Sequence, residues 1–268
     1  TLGWFIGLAS LMGLFYSVGY RLGKGPGYRA WGGVVLGVMM LGLWAWLVRE
    51  PTVAVHAVPP TFLAYLEGTF AAPLFMFIMG VAWSRSGAIR QRALVAMAIA
   101  LGVWCFVNGG RWMLDTAPSA AMARSEAQDG FLVFQSLKRS CVPAACATAL
   151  NRIGVRSNEN EMARLTKVSA ESGATLIRAY AGLKARLRAT DYDAELVEID
   201  YATLKSIRMP VVTSLSQKTN EGHMVVVLRA DDRQVLLADP QAGYVSLAAA
   251  EFDGQFDGRV IVFERRGR

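Results

Sequence analysis

The second half of the chain carries side chains of the types that make and break acyl bonds. Cys141 stands where a helix is expected to begin, two residues before Pro143, which suits a first turn because its missing N–H would be unpaired there anyway. The free backbone N–H groups and the dipole at such a helix start stabilise a thiolate, the nucleophilic form of the side chain. Taken alone, a cysteine in this setting is more often a small buried hydrophobe. Cys146, on the same helix but off the face that presents Cys141, and Cys105, between Trp104 and Phe106 in an apolar run, are read that way. Three cysteines so spaced offer neither a disulfide framework nor paired metal ligands, and no metal or cofactor is expected.

Of the two histidines, His56 falls in a short loop between apolar stretches, whereas His223 opens a β-rich run. Asp239 closes the next run, with Asp231-Asp232-Arg233 as the turn between them. A hairpin centred at about 231 or 232 sets residues 239 to 241 opposite 223, so the two side chains can be cross-strand neighbours about 5 Å apart. That is the reach an acid needs to hold an imidazole in one tautomer. An isolated histidine at a strand end is usually structural; facing an Asp, in a half that also has a helix-starting Cys, it reads as a general base. Gln135, six residues before Cys141, can fold back and donate its amide to an oxyanion alongside the Cys141 N–H. Spacing alone supports this only weakly, since a lone Gln is ordinarily a solvated side chain.

The elements that must hold these residues run helices first, then strands. Helices are expected from Cys141 to Asn151, near Glu159 to Thr166 and over Thr175 to Arg188. Strands are expected at Glu195–Ile199, Val211–Leu215, His223–Leu228, Val235–Ala238 and Val260–Phe263. Segregated helices and mostly antiparallel strands mean an α+β domain.

The rest of the chain is different in kind. Apolar residues make up 53% of the sequence and charged residues 18%, and the apolar excess lies before residue 115, too much for a soluble domain. Four stretches are long enough to cross about 30 Å of hydrocarbon: residues 2–22, 31–48, 61–83 and 93–110, within a membrane domain of residues 1–114. Residues 115–130 are small and polar and read as a linker, followed by the α+β domain at 131–268. The first span is longer than a signal-peptide core and lacks an Ala-x-Ala site, so it is expected to be retained. Gly3/Gly7 and Gly33/Gly37 are spaced for close helix packing. Glu67, the one acid within a span, marks a functional position or snorkels to the nearby interface.

The formal charge of +7 raises the question of a nucleic-acid partner. Eight Lys/Arg lie in the first 114 residues against only Glu50 and Glu67, while the remainder is close to balanced and has no basic stripe, so nucleic acid is excluded as a partner. The positive charge is topological. Arg21, Lys24 and Arg29 follow the first span and Arg85, Arg90 and Arg92 the third, whereas Arg49 and Arg111 each have an acid nearby. Basic loops stay in the cytoplasm, so the termini and the α+β domain are expected outside it. The sequence opens at Thr1 without an initiator Met; an added upstream span would leave those loop charges pointing the same way.

Gln135-Ser-Leu-Lys-Arg-Ser-Cys141-Val-Pro-Ala-Ala resembles the Gln-x5-Cys-Gly-x-Ala-Ala signature of the bacteriocin-processing cysteine peptidases, which cut double-glycine leaders. Gly222-His223 with its hydrophobic run, Asp239-Pro240, and Leu247 to Phe252 ahead of Phe256-x-Gly258 follow in the family's order. The resemblance covers about residues 131–264. It implies a papain-like fold with Cys141 as nucleophile, His223 as base, Asp239 orienting it and Gln135 in the oxyanion hole. Ser140 and Val142 depart from the usual Asp and Gly, which bears on the pocket and turnover more than on the fold.

The expected function is hydrolysis of a peptide bond after small residues, Gly-Gly in type, in an exported peptide or protein precursor. The expected site is the extracytoplasmic face of a bacterial inner membrane. The lipid bilayer and export or assembly machinery are the further partners; ATP is not, since no Gly-x4-Gly-Lys-Ser/Thr loop is present. Two other classes fit the same residues: an acyl transferase of transglutaminase or sortase type, and a leader-binding module without catalysis.

Overall fold

The computed structural model describes residues 2–67, 69–110, 127–168, 173–216 and 222–267. It contains two compact units, one of Thr1–Ala57 and Tyr65–Asp115, the other of Val58–Ala64 and Thr116–Arg268. Of the expected linker, residues 115–126 lie outside the described residues, as does Arg111.

In the apolar half, α1 (Leu2–Gly23) and α2 (Gly27–Arg49) are followed by a short α3 (Pro51–Ala57), α4 (Pro60–Leu66), α5 (Ala71–Arg85) and α6 (Ile89–Gly110). Helices α1, α2 and α6 are each long and apolar enough to cross a membrane, and α4 with α5 would make a fourth span. Two expectations change here. The third span is interrupted between Leu66 and Ala71: Pro73 has no N–H for the Thr69 carbonyl and its ring crowds that oxygen. The buried Thr69 hydroxyl turns instead to the carbonyls of Tyr65 and Leu66, at 3.0 and 3.3 Å. Glu67 sits at this interruption. The loop expected around His56 is helical, and His56 Nδ1 lies 2.6 Å from the Thr52 carbonyl one turn earlier.

Close packing occurs where small residues leave room, though not at every pair expected. A Cβ on Gly19 would lie 2.1 Å from the Phe77 carbonyl, and one on Gly80 2.2 Å from the Tyr16 carbonyl, so α1 and α5 touch backbone to backbone. Gly33 and Gly37 meet Leu22, Phe77 and Ile78, whereas Gly3 and Gly7 face open space. Cys105, expected to be buried, is exposed on α6 beside the exposed Trp104. The apolar surface there points outward, as on a helix that meets lipid rather than a protein core. At the end of α5, Arg85 donates to the Gly25 carbonyl at 2.8 Å, bringing the two basic loops to one end of the bundle.

The second unit is α+β. A small hairpin of β1 (Ala127–Gln128) and β2 (Leu132–Val133) leads to α7 (Cys141–Arg152), α8 (Glu159–Thr166) and α9 (Leu176–Leu187). Asn158 and Thr175 cap α8 and α9 by accepting from the N–H groups of Glu161 and Arg178. Then come β3 (Tyr192–Glu198), α10 (Tyr201–Leu204), β4 (Val211–Ser216), β5 (Gly222–Ala230), β6 (Gln234–Asp239), β7 (Gly243–Ala248), α11 (Ala249–Asp253) and β8 (Phe256–Arg265). The six strands β3 to β8 form one antiparallel sheet in the order β3-β8-β4-β5-β6-β7.

Strand alternation gives the sheet two buried faces. Val211, Val225, Val227, Val235 and Leu237 cluster with Leu204 and Phe252 on one side. Val212, Met224, Val226 and Ala238, also buried, alternate with them and point to the other side. Helix α7 packs against β5, and its Ala144, Ala145, Ala147 and Ala149 are fully buried. Small side chains let this helix sit deep in the domain, so the start of α7 is anchored by the core.

Candidate active site

The start of α7 brings Cys141 to the beginning of β5, where His223 lies. Ser140 is the N-cap residue of α7, and Val142 to Asn151 are all buried. Cys141 is partly exposed, and its thiol feels the His223 ring, which acts to lower its pKa. His223 Nε2 lies 2.9 Å from Asp239 Oδ1, which leaves Nδ1 as the ring nitrogen on the cysteine side. Both side chains of the His–Asp pair are largely shielded, at 11% and 18% exposure.

The hairpin that pairs them is not in the simple register. Val226 faces Ala238, and a bulge between Val227 and Arg229 shifts the ladder. Continued to the strand ends, this register sets Asp239 opposite Val225 rather than His223. Residues 223 and 225 share a face, so His223 and Asp239 meet diagonally, which a histidine side chain can span. Asp239 Oδ1 also accepts the backbone N–H groups of Gln241 and Ala242 at 2.6 and 3.1 Å. The carboxylate is thereby fixed by its own turn before it meets the imidazole.

These contacts set the protonation of the site. Burial would raise the Cys141 thiol, but the His223 ring, the N–H of Met224, the His223 charge and the N–H of Val142 together hold it below its ordinary value. Burial would lower His223, yet the hydrogen bonds to Asp239 and Cys141, with their charges, raise it to about 9. Asp239, against its own burial, is held below the usual carboxylate range by His223 and by the Gln241 N–H. The arrangement favours a thiolate–imidazolium pair, which can attack an acyl carbon and then protonate a leaving group. Cys146 is fully buried and its thiol is pushed well above the ordinary range by burial and by Cys141. It is inert packing.

Gln135 is nearby but turned elsewhere. Its backbone N–H donates to the Pro240 carbonyl at 2.9 Å, tying it to the turn after Asp239. Its side-chain Nε2 donates to the carbonyls of Leu137 and Lys138 at 3.0 and 3.2 Å, and its buried Oε1 has no partner among the described residues. The amide is spent on its own loop in this structure. Val142 buries its side chain in the domain interior and aims its N–H at the Cys141 sulfur.

One residue that sequence reasoning passed over joins the site from behind. Glu159, at the start of α8, is fully buried and hydrogen-bonded to Ser136 and Ser140. An acid in the first turn of a helix ordinarily signals no more than a favourable dipole contact, so its spacing gave no sign of this. Among the described residues, no group of three His, Cys, Asp or Glu gathers as a metal site would require.

Comparison with known proteins places this unit. An uncharacterised protein of Methanothermobacter marburgensis is 34% identical over 137 residues, covering 51% of this chain and 90% of its own length. Its counterpart in Methanothermobacter thermautotrophicus is 33% identical over the same extent. Among solved structures, the peptidase domain of Streptococcus ComA, a bifunctional ABC transporter of a quorum-sensing pathway, is similar with a TM-score of 0.45 at 19% identity. That likeness covers 51% of this chain and 98% of the other. A double-glycine-motif protease from an AMS/PCAT transporter, solved with its leader peptide, gives 0.44 at 18% identity, over 55% and 96%. The model of the peptidase C39 family matches residues 131–268, just over half of the chain, and the chain belongs to that family.

Proposed function

We propose that the chain is a membrane-anchored cysteine peptidase that cuts an exported peptide or protein precursor after small residues of Gly-Gly type, on the extracytoplasmic side of the inner membrane. The carrying observation is His223, whose Nε2 reaches Asp239 Oδ1 at 2.9 Å while its ring and charge hold the Cys141 thiol below its ordinary value. Family membership supports the peptide bond as the target.

In the reaction, Cys141 Sγ attacks the carbonyl carbon while the carbonyl electrons move to oxygen. The Cys141 N–H and one Gln135 N–H, released from the Leu137 carbonyl, stabilise that oxyanion. Imidazolium His223 gives its proton to the departing amine nitrogen, leaving a thioester on Cys141. Water, deprotonated by His223, then attacks the thioester and frees a carboxylate with the thiolate restored. Asp239 holds the ring and stabilises its charged form without taking the proton.

The test uses the full chain in detergent or a nanodisc with a synthetic peptide carrying Gly-Gly. Hydrolysis leaves a free carboxylate after the second Gly. A new amide formed with an added amine, in place of that carboxylate, would make the protein a transferase.

The membrane assignment is supported by three long apolar helices and a bent fourth pair, and the orientation by six basic residues in the two loops that Arg85 and Gly25 bring together. Protease added outside spheroplasts should remove the peptidase domain. Its protection, with the Arg85 to Arg92 loop accessible from outside, would reverse the topology.

A further inference from the structure

The segment between Gln135 and Cys141 belongs to no helix or strand, yet it must hold both groups assigned to the oxyanion. A single side chain fastens it at both ends. Glu159 is fully buried, a rare place for an acid without partners. Its Oε1 accepts the Ser136 backbone N–H at 2.9 Å and the Ser140 hydroxyl at 2.6 Å, and its Oε2 accepts the Ser136 hydroxyl. Ser140 Oγ in turn accepts the Leu137 N–H at 3.0 Å. Ser136 directly follows Gln135 and Ser140 directly precedes Cys141.

We propose that Glu159 is a positioning residue of the oxyanion site, clamping Ser136 and Ser140 so that the Gln135 amide and the Cys141 N–H keep a fixed separation. This rests on the roles of Cys141 and Gln135 given above. Glu159 touches no reacting atom and acts through the segment it ties. The clamp also explains why Ser stands before the nucleophile in this chain. An Asp at 140 would set a second carboxyl group against Glu159 inside the core, whereas a hydroxyl supplies a donor.

Full-length Glu159→Ala, Glu159→Gln and Ser140→Ala decide the matter through three readouts. In Glu159→Ala, amide hydrogen exchange over residues 136–141 should quicken by about tenfold or more while β4, β5 and β6 exchange as in wild type. On the Gly-Gly peptide kcat should fall by about 10–100-fold with KM within about twofold, because the lost interaction is made in the transition state. Alkylation of Cys141 by iodoacetamide should stay near the wild-type rate, since that step needs the thiolate but develops no oxyanion. Glu159→Gln keeps an oxygen acceptor for Ser136 and Ser140, and its amide can donate to the Ser136 hydroxyl, so it should restore most of kcat. Ser140→Ala, which removes one arm, should shift exchange and kcat in the same direction by less.

Unchanged exchange and kcat in Glu159→Ala and Ser140→Ala would overturn the proposal. So would alkylation, turnover and protection falling together across the domain, which marks ordinary core packing. If Glu159→Ala does not fold, Ser140→Ala and Glu159→Gln distinguish the clamp from core packing by the same readouts. A wild-type chain that alkylates at Cys141 but never cleaves the peptide would instead refute the peptidase reading, with the exchange data still judging the clamp.

Discussion

Cys141→Ala reduces peptide hydrolysis to background, and His223→Ala lowers it by about 10³-fold or more, because neither the nucleophile nor its base has a substitute and such residues act as a unit. The other cysteine near the site is no replacement: Cys146 is sealed inside α7 with its thiol pushed far up. Cys146→Ala therefore costs packing and leaves kcat near wild type. Asp239 separates two effects. The His223 Nε2 and the N–H groups of Gln241 and Ala242 all converge on its Oδ1. Asp239→Asn retains an oxygen for all three and loses only the charge, whereas Asp239→Ala loses the turn as well. Steady-state rates on the Gly-Gly peptide should rank wild type above Asp239→Asn, and Asp239→Asn above Asp239→Ala. Equal loss in the two variants would mean that the charge alone matters.

The second large effect is on the pH dependence of thiol reactivity. Cys141 is held below the ordinary thiol value and His223 is raised to about 9, so the contacts of the site favour the ionised pair. Iodoacetamide should alkylate Cys141 with a pH midpoint below that of a free cysteine, near 8.5. In His223→Ala the midpoint moves up, because burial then acts without its main opponent. Stability follows the same groups with opposite signs. His223 is raised on folding, so its contribution is complete below its unfolded value of about 6.5 and is lost as pH rises through about 9. Asp239 is depressed on folding, so its contribution is complete above its unfolded value of about 3.9 and is lost as pH falls through its folded value. Chemical denaturation across this range should show losses at both ends. A wild-type alkylation profile that matches free cysteine would rule out the ion pair.

The order of elements in the α+β unit was legible because each carries its own local signal. Pro143 marks the first turn of α7, Asn158 and Thr175 cap the next two helices, and the β-rich runs are bounded by turn residues. The His–Asp pairing was legible from hairpin arithmetic as a neighbourhood, though not as a register. The bulge at Val227 to Arg229 depends on how β5 meets β6, and no residue type there announces it. Strand β7 went unseen because Gly243 to Ala248 is a half-exposed strand whose alternation is weak in hydropathy.

In the apolar half, hydropathy reports length and lipid affinity but is indifferent to continuity. Pro73 lies in a run as apolar as its neighbours, so the interruption before α5 does not register. The same indifference hid the outward-facing Cys105. Glu159 and the Gln135 amide were out of reach for another reason: their partners, Ser136 with Ser140 and the carbonyls of Leu137 and Lys138, are set by loop geometry. Sequence spacing cannot specify where a loop points its carbonyls.

Whether Cys141 cuts precursor chains outside the cytoplasm is decided most directly by comparing protein N-termini in cells carrying the wild-type chain and Cys141→Ala. The expected result is a small set of N-termini, each following a pair of small residues and each belonging to an exported protein, that is present with the wild type and absent with Cys141→Ala. Identical N-termini in the two strains, with the Cys141→Ala protein still binding a precursor, would contradict the peptidase assignment and make the domain a binding module.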